Sequence, residues 1–130
     1  MVKSNSKMAK QVALPASAFE HNQAGHVPKS VAVVLSEETV LITLRGALSP
    51  AETALAKSPA GAAQVQEFHR QLFINSCGSL RREIKKITGV GVREATSGVG
   101  TESGTVVQVF LLADSVTAGT WSGNGQGDQS

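Results

Sequence analysis

The sequence predicts an α+β domain, a small antiparallel or mixed sheet of about four strands with one long helix packed on it, in the order (α)ββααββ. Three observations carry that prediction. Four short β-branched, apolar runs fall in two pairs, at 30–35 with 39–45 and at 90–96 with 105–112. Between the pairs, apolar residues recur at three- and four-residue steps from Val65 to Ile87, the period of a helix. Two serine–proline pairs, Ser49-Pro50 and Ser58-Pro59, mark helix starts in front of that stretch.

The elements follow in chain order. Residues 1–17 read as a flexible, weakly basic lead-in carrying Lys3, Lys7 and Lys10. A short helix is expected over about 17–23, with Ser17 as its cap and Gly25 as its stop, because Pro15 opposes extension upstream. The first two strands are separated by Ser36-Glu37-Glu38, a polar turn of hairpin length. In the second strand Val40, Ile42 and Leu44 share one face, while Leu41, Thr43 and Arg45 share the other. That second face is only half polar, so the strand belongs inside a sheet or under a partner.

Ser49, Pro50 and Glu52 then form a capping box, with serine and glutamate each satisfying the other's free amide. Pro59 interrupts this short helix and opens the long one. The stripe of the long helix is Val65, Phe68, Leu72, Phe73, Cys77, Leu80, Ile84 and Ile87. Gly89 ends it, with Lys85 and Lys86 in the last turn, where the helix dipole favours cations. The run at 105–112 is apolar on both faces, as in a central or fully covered strand. Residues 97–104 read as a long, mobile linker, and 116–130 as a flexible glycine-rich tail, leaving a single domain over 18–115.

Composition excludes several function classes. The chain has 130 residues, 41% of them hydrophobic and 17% charged, with a formal net charge of +2. A charged disordered protein needs lower hydrophobicity and higher net charge, and a nucleic-acid binder working by bulk charge needs a larger basic surplus. One cysteine allows no intrachain disulfide, and four phenylalanines, one tryptophan and no tyrosine make a poor stacking platform for bases. No apolar run reaches the roughly 20 residues of a transmembrane helix, and the N-terminus lacks the apolar core of a signal peptide. The expectation is a cytoplasmic protein.

No catalytic constellation, metal site or cofactor site is expected. Gly98 and Gly100 lead into a strand, whereas a phosphate loop must lead into a helix whose amides hold the anion. Cys77 and His69 lie eight residues apart on one helix, about 12 Å at 1.5 Å per residue, too far for a nucleophile–base pair. The scattered His21, His26 and His69 make no metal pattern. Glu67 and Arg70 read as a helix pair. What remains is one basic edge, Arg81, Arg82, Lys85 and Lys86. It is either a solvated helix face or a docking patch for an acidic partner, anionic headgroups or RNA.

The segment from His26 to Leu112 resembles the bacterial MpsC-like domain family. The matching text is Gly25-His26-Val27-Pro28, then the run 40–46, then Leu48-Ser49-Pro50-Ala51-Glu52. Arg70 in the long helix, Ile87-Thr88-Gly89-Val90 at its end and Val109-Phe110-Leu111-Leu112 complete it. Family members commonly begin with a longer amphipathic helix ending in Gly-x-Gly-Pro. Here Pro15 interrupts that helix, and Val27 stands at the second glycine. The resemblance implies a small protein working beside a membrane-associated ion/bicarbonate or sodium-translocating system, and it brings no catalytic residues.

Together these readings give a non-enzymatic accessory protein, a protein-interaction module acting as a homodimer with a protein partner at the membrane surface. Strand faces more apolar than one layer pair can cover motivate the homodimer. A second reading is a small-ligand or anion-binding regulatory module with its ligand between the sheet and residues 97–104. RNA binding comes third, since no aromatic residue interleaves the basic edge.

Overall fold

The computed structural model describes residues 7–116, which form α1 (Lys7–Ala24), β1 (Ser30–Ser36), β2 (Thr39–Arg45), α2 (Pro50–Leu55), α3 (Pro59–Thr88), β3 (Val92–Gly100) and β4 (Thr105–Leu112). The α+β order is the one the sequence predicts. The four strands form one antiparallel sheet in the order β1-β2-β4-β3. The stretch containing α2 and α3 crosses from β2 to β3, so that β2 and β4 pair in the middle.

The N-terminal helix departs from expectation. It starts at Lys7 rather than near Ser17 and runs straight through Pro15. An internal proline removes one helix hydrogen bond and crowds the preceding turn, at a cost of about 3 kcal/mol. That cost is offset because Ala9, Val12, Ala16 and Glu20 recur at helical spacing and are all buried against the sheet and α3. Tertiary burial therefore decides the length of α1. Gly25, at φ 73°, stops the helix and donates its N–H to the His21 carbonyl at 2.8 Å. Residues 1–6 of the expected lead-in lie outside the described residues, as do 117–130 of the expected tail. Val116 is buried with the core.

The second departure is at 97–104. Ser97–Gly100 belong to β3, which pairs with β4 from Gly100↔Thr105 back to Val92↔Leu112 with a bulge between Val92 and Glu94. Only 101–104 form a turn, closed by the Gly104 N–H on the Gly100 carbonyl at 2.9 Å with Gly104 at φ 72°. The glycines weaken the local strand signal, but a continuous β4 ladder satisfies their backbone groups. At the other hairpin, Ser36 pairs with Thr39, which leaves Glu37 and Glu38 as a two-residue turn with Glu37 at φ 57°.

In α3 the buried positions are Gly61, Val65, His69, Phe73, Ser76, Leu80, Ile84 and Thr88. The apolar pattern misplaces one turn of this stripe: Phe68 is 46% exposed, whereas His69 is 4% exposed. Gly61 has no room for a side chain, since a Cβ there would collide with the Leu55 carbonyl. That close approach brings the end of α2 onto the start of α3. The core lies between one sheet face and the helix pair α1 and α3, around Val33, Ile42, Leu44, Phe73, Leu80, Ile84 and Phe110.

Candidate functional site

Helix α2 has no buried residue, so apolar packing does not hold it in place. Hydrogen bonds do. Ser49 Oγ accepts the Glu52 N–H at 3.2 Å, and Glu52 Oε1 accepts the Ser49 N–H at 2.9 Å, completing the predicted capping box. The second carboxylate oxygen, Oε2, accepts from His69 Nε2 on α3 at 2.7 Å. Glu52 thus caps one helix and ties it to another.

On the far side of the ring, Glu20 reaches in from α1. Its Oε2 lies 3.7 Å from His69 Nδ1, close enough for charge attraction but too long for a hydrogen bond. Glu20 is 7% exposed. Burial, opposed in part by His69, pushes its carboxyl above the usual value of 4.5; the nearby Glu52 charge pushes it the same way. For Glu52, burial also acts upward. The Ser49 amide and His69 outweigh it and hold this carboxyl below the usual value. A carboxylate–histidine–carboxylate row therefore joins α1, α3 and α2 through one imidazole, with the two carboxyls shifted in opposite directions. The adjoining cavity, between Glu20, Gln108 and Phe73, measures only about 10 Å³, room for about one water molecule. The Glu52–His69 hydrogen bond clamps α2 to α3, whereas Glu20 Oε2 makes no hydrogen bond and adds only charge attraction from α1.

Sequence reasoning identified Glu52 as a cap but missed His69 and Glu20 as its partners. A signal was present. His69 lies four residues from both Val65 and Phe73, and Glu20 lies four from Ala16, so each polar residue occupies a slot in an apolar stripe. Buried polar groups of this kind need partners.

The other predicted residues do not gather at this row. Arg70 forms a bidentate pair with Glu67, at 2.9 and 2.8 Å on the exposed side of α3, and the pair holds the Glu67 carboxyl down to about 2. Gly89 caps the distant end of the same helix at φ 80°, its N–H on the Lys85 carbonyl at 2.7 Å. The basic edge is split. Arg82, Lys85 and Lys86 are exposed, whereas Arg81 is half-buried. Arg82 donates to Ser79 Oγ at 3.1 Å.

A broader feature lies on the other face of the sheet. Along β2 and β4, core residues alternate with half-buried Leu41, Thr43, Val107, Val109 and Leu111. The register lines these up with β1 and β3 in two rows, Val34–Leu41–Val109–Thr96 and Ala32–Thr43–Val107–Gly98. Both rows are free of charge. Helices α1 and α3 pack into the core on the opposite side, so among the described residues no element covers this apolar face. The nearest charges on it, Arg45 and Glu94, stand at opposite ends of the strands.

The sequence model described as "Na+-translocating membrane potential-generating system (MpsC)" matches residues 4–114. The chain belongs to the MpsC family. Residues 4–114 take in all of α1, the long N-terminal helix that the family resemblance implies. This MpsC-family chain is 25% identical over 114 residues to the uncharacterized protein YbcI of Bacillus subtilis (strain 168), covering 88% of the present chain and 92% of the other. No solved structure matches it. The family description associates the MpsC chain with a membrane potential-generating, sodium-translocating system. Among the described residues no helix is long and apolar enough to cross a membrane.

Proposed function

We propose that this MpsC-family protein is a non-enzymatic accessory protein that works as a homodimer beside a membrane-associated, ion-translocating system. The observation that carries this reading is the open sheet face, with two uncharged rows centred on Leu41, Thr43, Val107 and Val109. A contiguous apolar face on a soluble domain marks an interaction surface. A second copy fits it for two reasons. A central patch without charge brings no like charges together when it meets itself. When the copy is inverted along the strands, the Arg45 end of one sheet lies towards the Glu94 end of the other. Two such sheets pack about 10 Å apart with interdigitating side chains. The accessory role beside a membrane system rests on the family description. The non-enzymatic reading draws support from the acid–base row, whose central imidazole is buried behind three helices beside a cavity of about 10 Å³.

Sedimentation of the full chain at micromolar concentration tests the dimer. The wild-type protein should sediment as a dimer and Val109→Lys as a folded monomer; a monomeric wild type overturns the reading. In bacteria carrying this gene, deletion should lower the membrane potential under sodium load, and restored wild type but not Val109→Lys should recover it. A potential untouched by deletion removes the accessory role.

A further inference from the structure

We propose that a groove at one end of the sheet binds a small oxyanion of the phosphate class. The groove has a volume of about 460 Å³ and is walled by the segment before β1, helix α2 and the β3–β4 turn. It shares no residue with the open sheet face, and the proposal goes beyond the homodimer reading.

Two lysines distant in sequence, Lys29 and Lys57, both line it. Neither forms an ion pair with a carboxylate; among the described residues those pairs are confined to His69, with Glu20 and Glu52, and to Arg70 with Glu67. Two exposed lysines without a carboxylate partner, lining one concave surface, make that surface attractive to an anion. One carboxylate, Glu102, shares the wall and stands unpaired with either lysine, so the groove keeps a net positive charge. The Thr53 and Ser103 hydroxyls on the wall already donate within the chain, Thr53 to the Ser49 carbonyl at 3.0 Å and Ser103 to Thr105 Oγ1 at 3.0 Å, so recognition of the anion rests on the two lysines.

The walls are fixed in place. Lys29 donates its N–H to the Arg45 carbonyl at 2.8 Å, and its side-chain stem lies on the backbone of Gly46. A Cβ on Gly46 would come within 2.6 Å of the Lys29 Cγ, and Gly46 has φ 61°, so glycine is required there on both counts. His26 Nε2 donates to the Gly46 carbonyl at 3.1 Å, which fixes the ring at the edge of the groove. Across the groove, the Ala47 N–H bonds the Gly104 carbonyl at 2.9 Å and ties the turn to the opposite wall. The lysine stem on one side and the serine turn on the other are thus positioned before any ligand arrives, which lowers the ordering cost of binding.

The test is a titration of the full chain with inorganic phosphate at constant ionic strength, followed by amide NMR shifts. Saturable shifts are expected at Gly46, Ser103 and Gly104. Lys29→Gln with Lys57→Gln keeps both polar stems and should weaken binding at least tenfold. Lys85→Gln with Lys86→Gln, on the far end of α3, should leave it unchanged. A phosphomonoester that binds more tightly than free phosphate identifies a phosphorylated small molecule as the ligand, and the reverse order identifies the free ion. Absence of saturation, equal shifts with chloride, or equal binding by the Lys29/Lys57 variant overturns the proposal.

Discussion

The two faces of the one sheet are built from alternate residues of the same strands and have opposite fates. On β4, Val106, Gln108, Phe110 and Leu112 are buried beneath α1 and α3, while Thr105, Val107, Val109 and Leu111 between them are only half-buried. On this strand both faces are largely apolar. Cover is what separates them: one face has two helices, and the other has none among the described residues. An apolar pattern therefore shows which residues tend to be buried, whereas the identity of the cover depends on what the remaining chain can reach.

Neighbouring substitutions give the sharpest test of that contrast. Phe110→Ala should destabilise the fold by about 3–5 kcal/mol, since it empties the centre of the core. Val109→Ala, one residue away on the open face, should cost about 1 kcal/mol or less in the isolated protomer. Urea unfolding of both variants at low protein concentration measures the difference; equal losses would mean that the second face is also covered.

The helix clamp is next in magnitude, and its signature is a pH dependence. Burial raises the Glu20 carboxyl above its usual 4.5, so the folded chain holds that proton more tightly than the unfolded chain. The stability this contributes is complete below pH 4.5 and is lost as pH rises through the folded value of Glu20. Glu52 has the opposite sign: held below 4.5, it contributes stability above that pH, which is lost as pH falls through its folded value. Glu20→Gln should therefore gain stability relative to wild type as pH rises above 4.5, and should leave the acid-side loss from Glu52 intact. Denaturation midpoints between about pH 3 and 8 decide it, and parallel profiles would place the titration elsewhere. The smallest effect is expected at the cap. Ser49→Ala removes one half of the box and should cost about 1 kcal/mol in thermal unfolding, with the sheet unaffected.

Legibility in the sequence follows the range of each interaction. The capping box spans four residues, and the turn at Glu37-Glu38 only two, so propensity and turn chemistry reveal both. The Glu52–His69 bond joins residues 17 apart on two helices, and Glu20 comes from a third. Only the polar intrusions into apolar stripes hinted at that meeting. The helix through Pro15 and the strand through Gly98 depart from the sequence expectation for one shared reason. Local backbone preference opposed each of them, while burial of α1 in one case and pairing with β4 in the other outweighed it.

The sequence by itself determined the α+β class, the two strand pairs and the capped long helix. These rest on periodicity and on contacts a few residues long. Tertiary structure alone decided the strand order, the reach of α1, the histidine row and which sheet face stays open. Each of those depends on which distant surfaces meet, and burial and pairing energies summed over whole elements exceed any single residue's local preference.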